Sequence, residues 1–215
     1  MAGQKHDPVG QYDSPVKRRV AIALHHYRTA FSRDTSSIFG DALALSKLSA
    51  LTRIPALVLE GGQVLIDSAA ILDHLDALVA PEAALIPRSG PERRRILQAT
   101  VLAQGTLEKI AAVVYERHFH LAAHISPEWE QRCASQATAG LALLEQLCAA
   151  PWFCGASFTH ADAMMATTLT YALLRLPDIV PPGAYPKLHA NARACEALPA
   201  FQAAAISASE TMPNS

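Results

Sequence analysis

Few side chains in this sequence have types and spacing suited to chemistry. Ser14 stands immediately before Pro15 and puts a hydroxyl at the head of a run that reads as helix, where its oxygen can accept a capping bond or its proton can face an anion. Tyr12 offers a phenol two residues earlier. Asp67-Ser68 repeats the pattern of short polar residues before a second helical run. Thr159-His160-Ala161-Asp162 opens a third, and a threonine followed three positions on by an acid makes a reciprocal cap, which assigns Thr159 and Asp162 a structural role. His118, His120 and His124 invite a metal reading, but no acid or cysteine stands at matching spacing and Ser126-Pro127 breaks the run, so no metal site is expected. Cys133, Cys148, Cys154 and Cys195 form no C-x-x-C pair and read as buried free thiols of a reducing compartment. Because no cysteine precedes Cys133, a thiol-disulfide oxidoreductase lacks its nucleophile.

These residues need elements to hold them. Residues 8–12 fit a short first strand, and residues 15–27 a helix whose buried face carries Val16, Val20, Ala23, Leu24 and Tyr27. Residues 29–33 fit a second strand, while 39–51 read as a weak helix or irregular loop. The clearest local signal is ALVLE, Gly61-Gly62, QVLID: the two glycines supply the positive φ angles of a two-residue hairpin over 56–66. Ser68 then caps SAAILDHLDALV, with Ile71, Leu72, Leu75, Leu78 and Val79 on one face. The first module closes near residue 80.

Residues 81–91 hold three prolines and a glycine and have the composition of a linker. Beyond them every periodic run is helical, at about 91–118, 127–149, 160–175 and 186–197, so the organisation expected is residues 1–80, a linker at 81–91 and an all-helical domain over 92–215. Eighteen Lys plus Arg against nineteen Asp plus Glu give a net charge of -1, which removes nucleic acid and anionic membrane from the expected partners. The N-terminus lacks the apolar run of a signal peptide and no spanning segment follows, so a cytoplasmic protein is expected.

Ser14-Pro15-x-x-x-Arg19-Val20-x-x-Ala23-Leu24, then Arg53-Ile54-Pro55-Ala56-Leu57, then Asp67-Ser68 opening a helix, then a proline-containing linker and a helical half with Thr159-x-x-Asp162, occur in an order that resembles the soluble glutathione S-transferases, bacterial type, with a serine after the first strand. The resemblance implies an α/β thioredoxin-like N-terminal domain and an all-α C-terminal bundle. It also implies a cis Ile54-Pro55 bond, whose Ile54 backbone pairs with the cysteinyl unit of glutathione, and a basic Arg53 beside the same ligand. Asp67 and Ser68 then take the γ-glutamyl end, the acid its ammonium and the serine with the helix start its carboxylate. By the same resemblance Ser14 activates the thiol, with Tyr12 as the alternative, since some branches use a tyrosine from the first strand. The second substrate falls to a pocket between the domains with Tyr115, His118 and Phe119 as candidates.

A thiol with a pKa of ~8.5 is only a few per cent ionised at neutral pH, and lowering it by about two units takes roughly 2.7 kcal/mol of preferential anion stabilisation. A serine hydroxyl backed by a helix N-terminus can contribute much of that, although Ser-Pro is also an ordinary helix start. The function expected is attack of the glutathione thiolate on a small electrophile, in detoxification, by a homodimer with the helices at 68–79 and 91–118 near its interface. Glutathione is then a co-substrate, and no metal takes part. Conjugation, peroxide reduction and isomerisation share this first step, and a cysteine at position 14 would have pointed to mixed disulfides instead. The rival class is a non-catalytic glutathione-binding or protein-interaction module on the same fold. Its motivation is that family members often read Asn-Pro-x-Gly where this chain has Ser49-Ala50-Leu51-Thr52, and Glu where it has Asp67.

Overall fold

A computed structural model of the protein describes residues 7–38, 40–207 and Glu210. The first six residues of the expected first domain, Phe39 of the weak 39–51 segment and the end of the expected second domain lie outside the described residues. The chain divides into two units, one running to Pro87 and resumed from Glu196, the other spanning Arg88–Cys195.

The first unit contains a three-stranded antiparallel sheet of β1 (Asp7–Val9), β2 (Ala56–Val58) and β3 (Val64–Ile66), in that order across the sheet. Val9 pairs with Ala56, and Ala56 with Ile66. The hairpin forms where expected, but through a three-residue loop: Gln63 C=O accepts from Leu59 N–H at 2.8 Å, and the Gly62 N–H closes a turn on Leu59 C=O at 3.0 Å. Gly61 has φ +92° at the third turn position, which a β-carbon would disfavour. Strand β1 is shorter than the expected 8–12, and no strand forms at 29–33. That stretch is stitched alongside β1 by carboxylates: Asp7 Oδ1 accepts from Ser32 N–H at 2.7 Å, and Asp34 Oδ1 from Gly10 N–H at 3.3 Å. An amide bound to a side chain is not available to a ladder. Of the 39–51 stretch only Ala42–Leu45 is helical, as α2.

Helix α1 (Pro15–His26) departs most from its sequence pattern. Instead of one apolar face it is buried nearly all round, and Lys17, Arg18 and Arg19 are 0%, 3% and 1% exposed. Each cation has a partner. The Lys17 amine donates to Pro8 C=O on β1 and lies 4.9 Å from the Tyr12 ring centroid. Arg18 binds both Glu196 oxygens at 2.7 Å and the Ala204 carbonyl at 2.9 Å, which brings the C-terminal segment, with α8 (Pro199–Ala203), back onto the first unit. Arg19 reaches Ser68 at the head of α3 (Ser68–Leu78). Near the end of α1, the Tyr27 hydroxyl donates to Asp76 of α3 and accepts from Leu85 N–H at 2.8 Å. That bond explains why Asp76 is buried, while Leu78, expected on the buried face, is 50% exposed.

The second unit is helical: α4 (Gly90–Phe119), α5 (Pro127–Leu147), α6 (His160–Arg175) and α7 (Pro186–Glu196, less its last residue), with single 3₁₀ turns at Ala122–His124 and Pro177–Ile179. Helices α5 and α6 both pack on α4, and Ala103, Ile110 and Val113 of α4, Ala137 and Leu141 of α5, and Ala163 and Ala166 of α6 are buried in the core. Small side chains at these positions let the helices approach closely. Thr159 caps α6 through its hydroxyl, and the wholly buried Asp162 reaches back to the Thr159 N–H at 2.8 Å. Its other oxygen takes Phe153 N–H at 2.6 Å and Asn191 Nδ2 at 2.8 Å, so one carboxylate ties the 150s loop and α7 to the start of α6. The architecture is therefore a thioredoxin-like domain of a small sheet with helices, followed by a helical domain.

Burial pushes the Lys17 amine down to about 7, against the opposing pull of Asp34. In an unfolded chain it titrates near ~10.4, so between about pH 7 and pH 10 the unfolded state binds more protons and stability rises with pH. We expect urea denaturation from pH 7 to 9 to show a rise that Lys17→Met lacks, the difference growing by up to about 1.4 kcal/mol per pH unit. Parallel pH profiles for the two proteins would show that Lys17 stays charged in the fold.

Candidate functional site

The polar residues singled out in the first unit sit where sheet and helices meet. Strand β1 is followed by Gly10, which has φ +130°, and a β-carbon there would stand 2.9 Å from both Cβ and Cδ1 of Ile54. The missing side chain is what lets the β1 end and Ile54 touch. The Ile54–Pro55 bond is cis and leads directly into β2. Before it, Ser49 to Thr52 close a turn through a 2.8 Å bond, with Thr52 at φ +50°. Arg53 is exposed.

Two residues on, Tyr12 and Ser14 part ways. Tyr12 is 1% exposed, and its ring is covered by the Arg33 guanidinium at 3.8 Å from the centroid, a close cation–π contact. Burial raises its phenol above the ordinary range, with Arg33 opposing. Arg33 in turn binds the Ala205 carbonyl at 2.8 Å and the Glu210 carboxylate. Tyr12 thus belongs to a packed cluster with no route to solvent. Ser14 is half-buried and is the N-cap of α1 by backbone position, yet its hydroxyl makes no capping bond. The helix starts instead with Pro15, which has no N–H to satisfy, and the Ser14 carbonyl accepts from Arg18 N–H at 2.8 Å.

At the head of α3 the cap is Asp67 and not Ser68: Asp67 Oδ1 accepts from Ala69 N–H at 2.9 Å. Asp67 has φ +70°, an unfavourable conformation for a residue with a β-carbon, of the kind that concentrates at ligand sites. Ser68 is fully buried, and its Oγ accepts from Arg19 Nη2 at 2.6 Å and lies 3.4 Å from Asp67 Oδ1. Arg19 carries no signal of this in the sequence beyond its place in the Ser-Pro-x-x-x-Arg-Val pattern, because a charged residue in an amphipathic-looking helix ordinarily faces water.

In the second unit, Tyr115, His118 and Phe119 lie together on the last turns of α4, with ring centroids 5.6 Å apart for Tyr115–Phe119 and 5.0 Å for His118–Phe119. Tyr115 is 38% and Phe119 58% exposed, more than packing residues require. His120 and His124 do not share a helix: α4 ends at Phe119, and His120 pairs with Glu116 at 3.3 Å. Among the described residues no group of three His, Cys, Asp or Glu side chains is placed to hold a metal ion. The same unit has a shallow cleft of about 610 Å³ between α5 and the Pro177–Ile179 turn, lined by Gln131, Thr138, Asp178 and Tyr185 among others. None of the residues singled out in the sequence lines it.

Comparison with known proteins follows the same division. The model of the glutathione S-transferase N-terminal domain matches residues 13–78, and that of the C-terminal domain residues 127–190, together more than half of the chain. A glutathione S-transferase of Methylobacterium radiotolerans, solved with glutathione sulfonate, superposes with a TM-score of 0.88 at 24% identity over 98% of this chain and 99% of that one. A glutathione transferase family member from Pseudomonas fluorescens, solved with bound glutathione, gives 0.81 at 29% identity over 94% and 99%. The uncharacterized GST-like protein YibF of Escherichia coli is 29% identical over 101 residues, 46% of this chain. The matched region spans about half of that relative, 49% of its length.

The contact at Gly10 generates a test. Gly10→Ala forces a β-carbon against Ile54 in a left-handed conformation, and we expect a loss of about 1–3 kcal/mol in denaturant unfolding. A displaced Ile54 amide resonance should accompany it. An unchanged Ile54 signal would mean that the β1 end and Ile54 are not held against each other.

Proposed function

The chain belongs to the glutathione S-transferase family, and we propose that it is a glutathione transferase whose Ser14 hydroxyl stabilises the thiolate of bound glutathione for attack on a small electrophile. The observation that carries this is the state of Ser14. Its hydroxyl is spared from capping at the positive end of α1, while its rival Tyr12 is sealed under Arg33. A hydroxyl hydrogen bond to sulfur favours the anion, and an anion at neutral pH is the species that attacks.

In this reading the peptide lies along the Ile54-Pro55 segment, where the Ile54 backbone pairs with the cysteinyl unit as an added strand would. The Asp67 carboxylate takes the γ-glutamyl ammonium, and the start of α3 with Ser68 attracts the carboxylate. Exposed Arg53 lies beside the ligand as a supporting cation. The electrophile is met by Tyr115, His118 and Phe119, apolar rings with one polar group among them. The thiolate sulfur forms a bond to the electrophilic carbon, and the displaced group leaves with the electron pair. The location proposed is cytoplasmic. No helix among the described residues is long and apolar enough to cross a membrane.

A non-catalytic glutathione-binding or protein-interaction module on this fold is the second reading, favoured by one observation: the Ser49–Thr52 turn, with Thr52 at φ +50°, stands where family members often read Asn-Pro-x-Gly. Retention on glutathione resin without turnover would identify it.

Two measurements test the proposal. Calorimetric titration of glutathione with thiolate absorbance followed in parallel should show binding and an ionised thiol, and Ser14→Ala should keep the binding while losing most of the thiolate signal, a pKa rise of about one to two units. A thiolate signal indifferent to the substitution would remove Ser14 from catalysis. The assembly proposed is a two-fold homodimer, with exposed Leu78 of α3 and Leu97 and Val101 of α4 available to such an interface. Equilibrium sedimentation at micromolar concentration should give twice the 23.0 kDa chain mass, and a 23.0 kDa species alone would rule the dimer out.

A further inference from the structure

Arg19 has no role in the reaction as described, yet its position is costly. A guanidinium that is 1% exposed has lost its hydration, and several kcal/mol of desolvation must be offset locally. Among its partners is the Ser68 hydroxyl at 2.6 Å, with the Asp67 carboxylate near enough to favour its charge. A residue serving packing alone would do better as Leu or Met on a helix otherwise lined by Val20, Ile22 and Leu24.

The geometry has a directional consequence. A serine hydroxyl has one proton and two acceptor sites, and a guanidinium can only donate. With Arg19 occupying an acceptor site of Ser68 Oγ, the hydroxyl proton points away from Arg19 and is available to an acceptor. The nearest in the chain is Asp67 Oδ1 at 3.4 Å, long for an O–H···O bond, and that oxygen is already engaged by Ala69 N–H at 2.9 Å. The serine is therefore held as a donor with a weak acceptor, at a helix start, over a fixed positive charge. All three features favour an incoming anion.

We propose that Arg19 is a positioning residue for the substrate's γ-glutamyl carboxylate, acting through Ser68 from inside the domain. The inference rests on the glutathione site proposed above. The arginine does not touch substrate. It orients the Ser68 hydroxyl and adds a buried charge behind the N-terminus of α3, whose own partial charge is about half a unit.

Calorimetry with two ligands separates this from a purely structural role: glutathione, and the analogue with 4-aminobutyryl in place of γ-glutamyl, which keeps the ammonium and lacks the carboxylate. Arg19→Met should weaken glutathione about ten-fold or more and the analogue less than about two-fold, and Arg19→Lys should recover part of the difference. Ser68→Ala should show the same preference for the carboxylate-bearing ligand, and Arg19→Met added to it should cost little more. If Arg19→Met does not fold, Arg19→Lys carries the test, since it keeps the charge and should still weaken glutathione more than the analogue. Equal losses for both ligands, or unchanged glutathione affinity in a folded variant, overturn the proposal. If the wild-type protein binds neither ligand, the glutathione site itself is wrong and this role falls with it. Binding of both ligands with equal affinity by the wild type leaves the glutathione site standing and overturns the role of Arg19 alone.

Discussion

The first unit depends on how three consecutive cations are buried in α1. Lys17, Arg18 and Arg19 project in three directions from one helical turn, since successive residues are about 100° apart, and each meets a different element: β1, the C-terminal segment and the head of α3. Removing Glu196 would leave the buried Arg18 guanidinium without its counter-charge, which costs more than the pair contributes. The bidentate Arg18–Glu196 pair satisfies both guanidinium nitrogens and both carboxylate oxygens, the geometry in which an ion pair best offsets its desolvation. Helix α1 is thus the hub to which sheet, α3 and α8 are fastened, with Ser14 at its start and Ser68 against its Arg19 side chain.

That arrangement separates two residues that are close in sequence. Tyr12 and Ser14 both precede α1, and both are chemically able to serve a thiol. Arg33 lies over the Tyr12 ring and Lys17 lies beside it, while the hydroxyl of Ser14 carries no structural duty. The same logic separates Asp67 from Ser68. The aspartate caps α3 and adopts the strained backbone, so the serine can accept a bond from Arg19 without unravelling the helix start.

The helical domain solves a different problem with the opposite charge. Asp162 is a buried carboxylate whose four donors come from a loop, its own helix cap and α7. A buried carboxylate accepting that many bonds has its lone pairs satisfied and fixes where three segments meet. Family membership accounts for the fold of both domains. The reaction proposed is argued from Ser14 and from the head of α3, since a shared fold hosts many functions.

Much was determined by the sequence alone. The periodicity of α4 to α7, the Gly61-Gly62 turn, the Thr159–Asp162 cap and the order of motifs are local, and local patterns survive in a linear text. The boundaries of the long helices followed because Pro15, Pro127 and Pro186 stand at or next to their first turns. Only the tertiary structure decided which polar residues are inside. Burial of Lys17, Arg18 and Arg19 depends on Pro8, Glu196 and Ser68, up to 178 residues away, and no window of sequence carries that information. The missing strand at 29–33 and the sealed Tyr12 have the same cause: backbone amides and an aromatic face were claimed by distant carboxylates and an arginine. Which residues have the chemistry was written in the chain, and which of them are left free to use it was settled by what each one packs against.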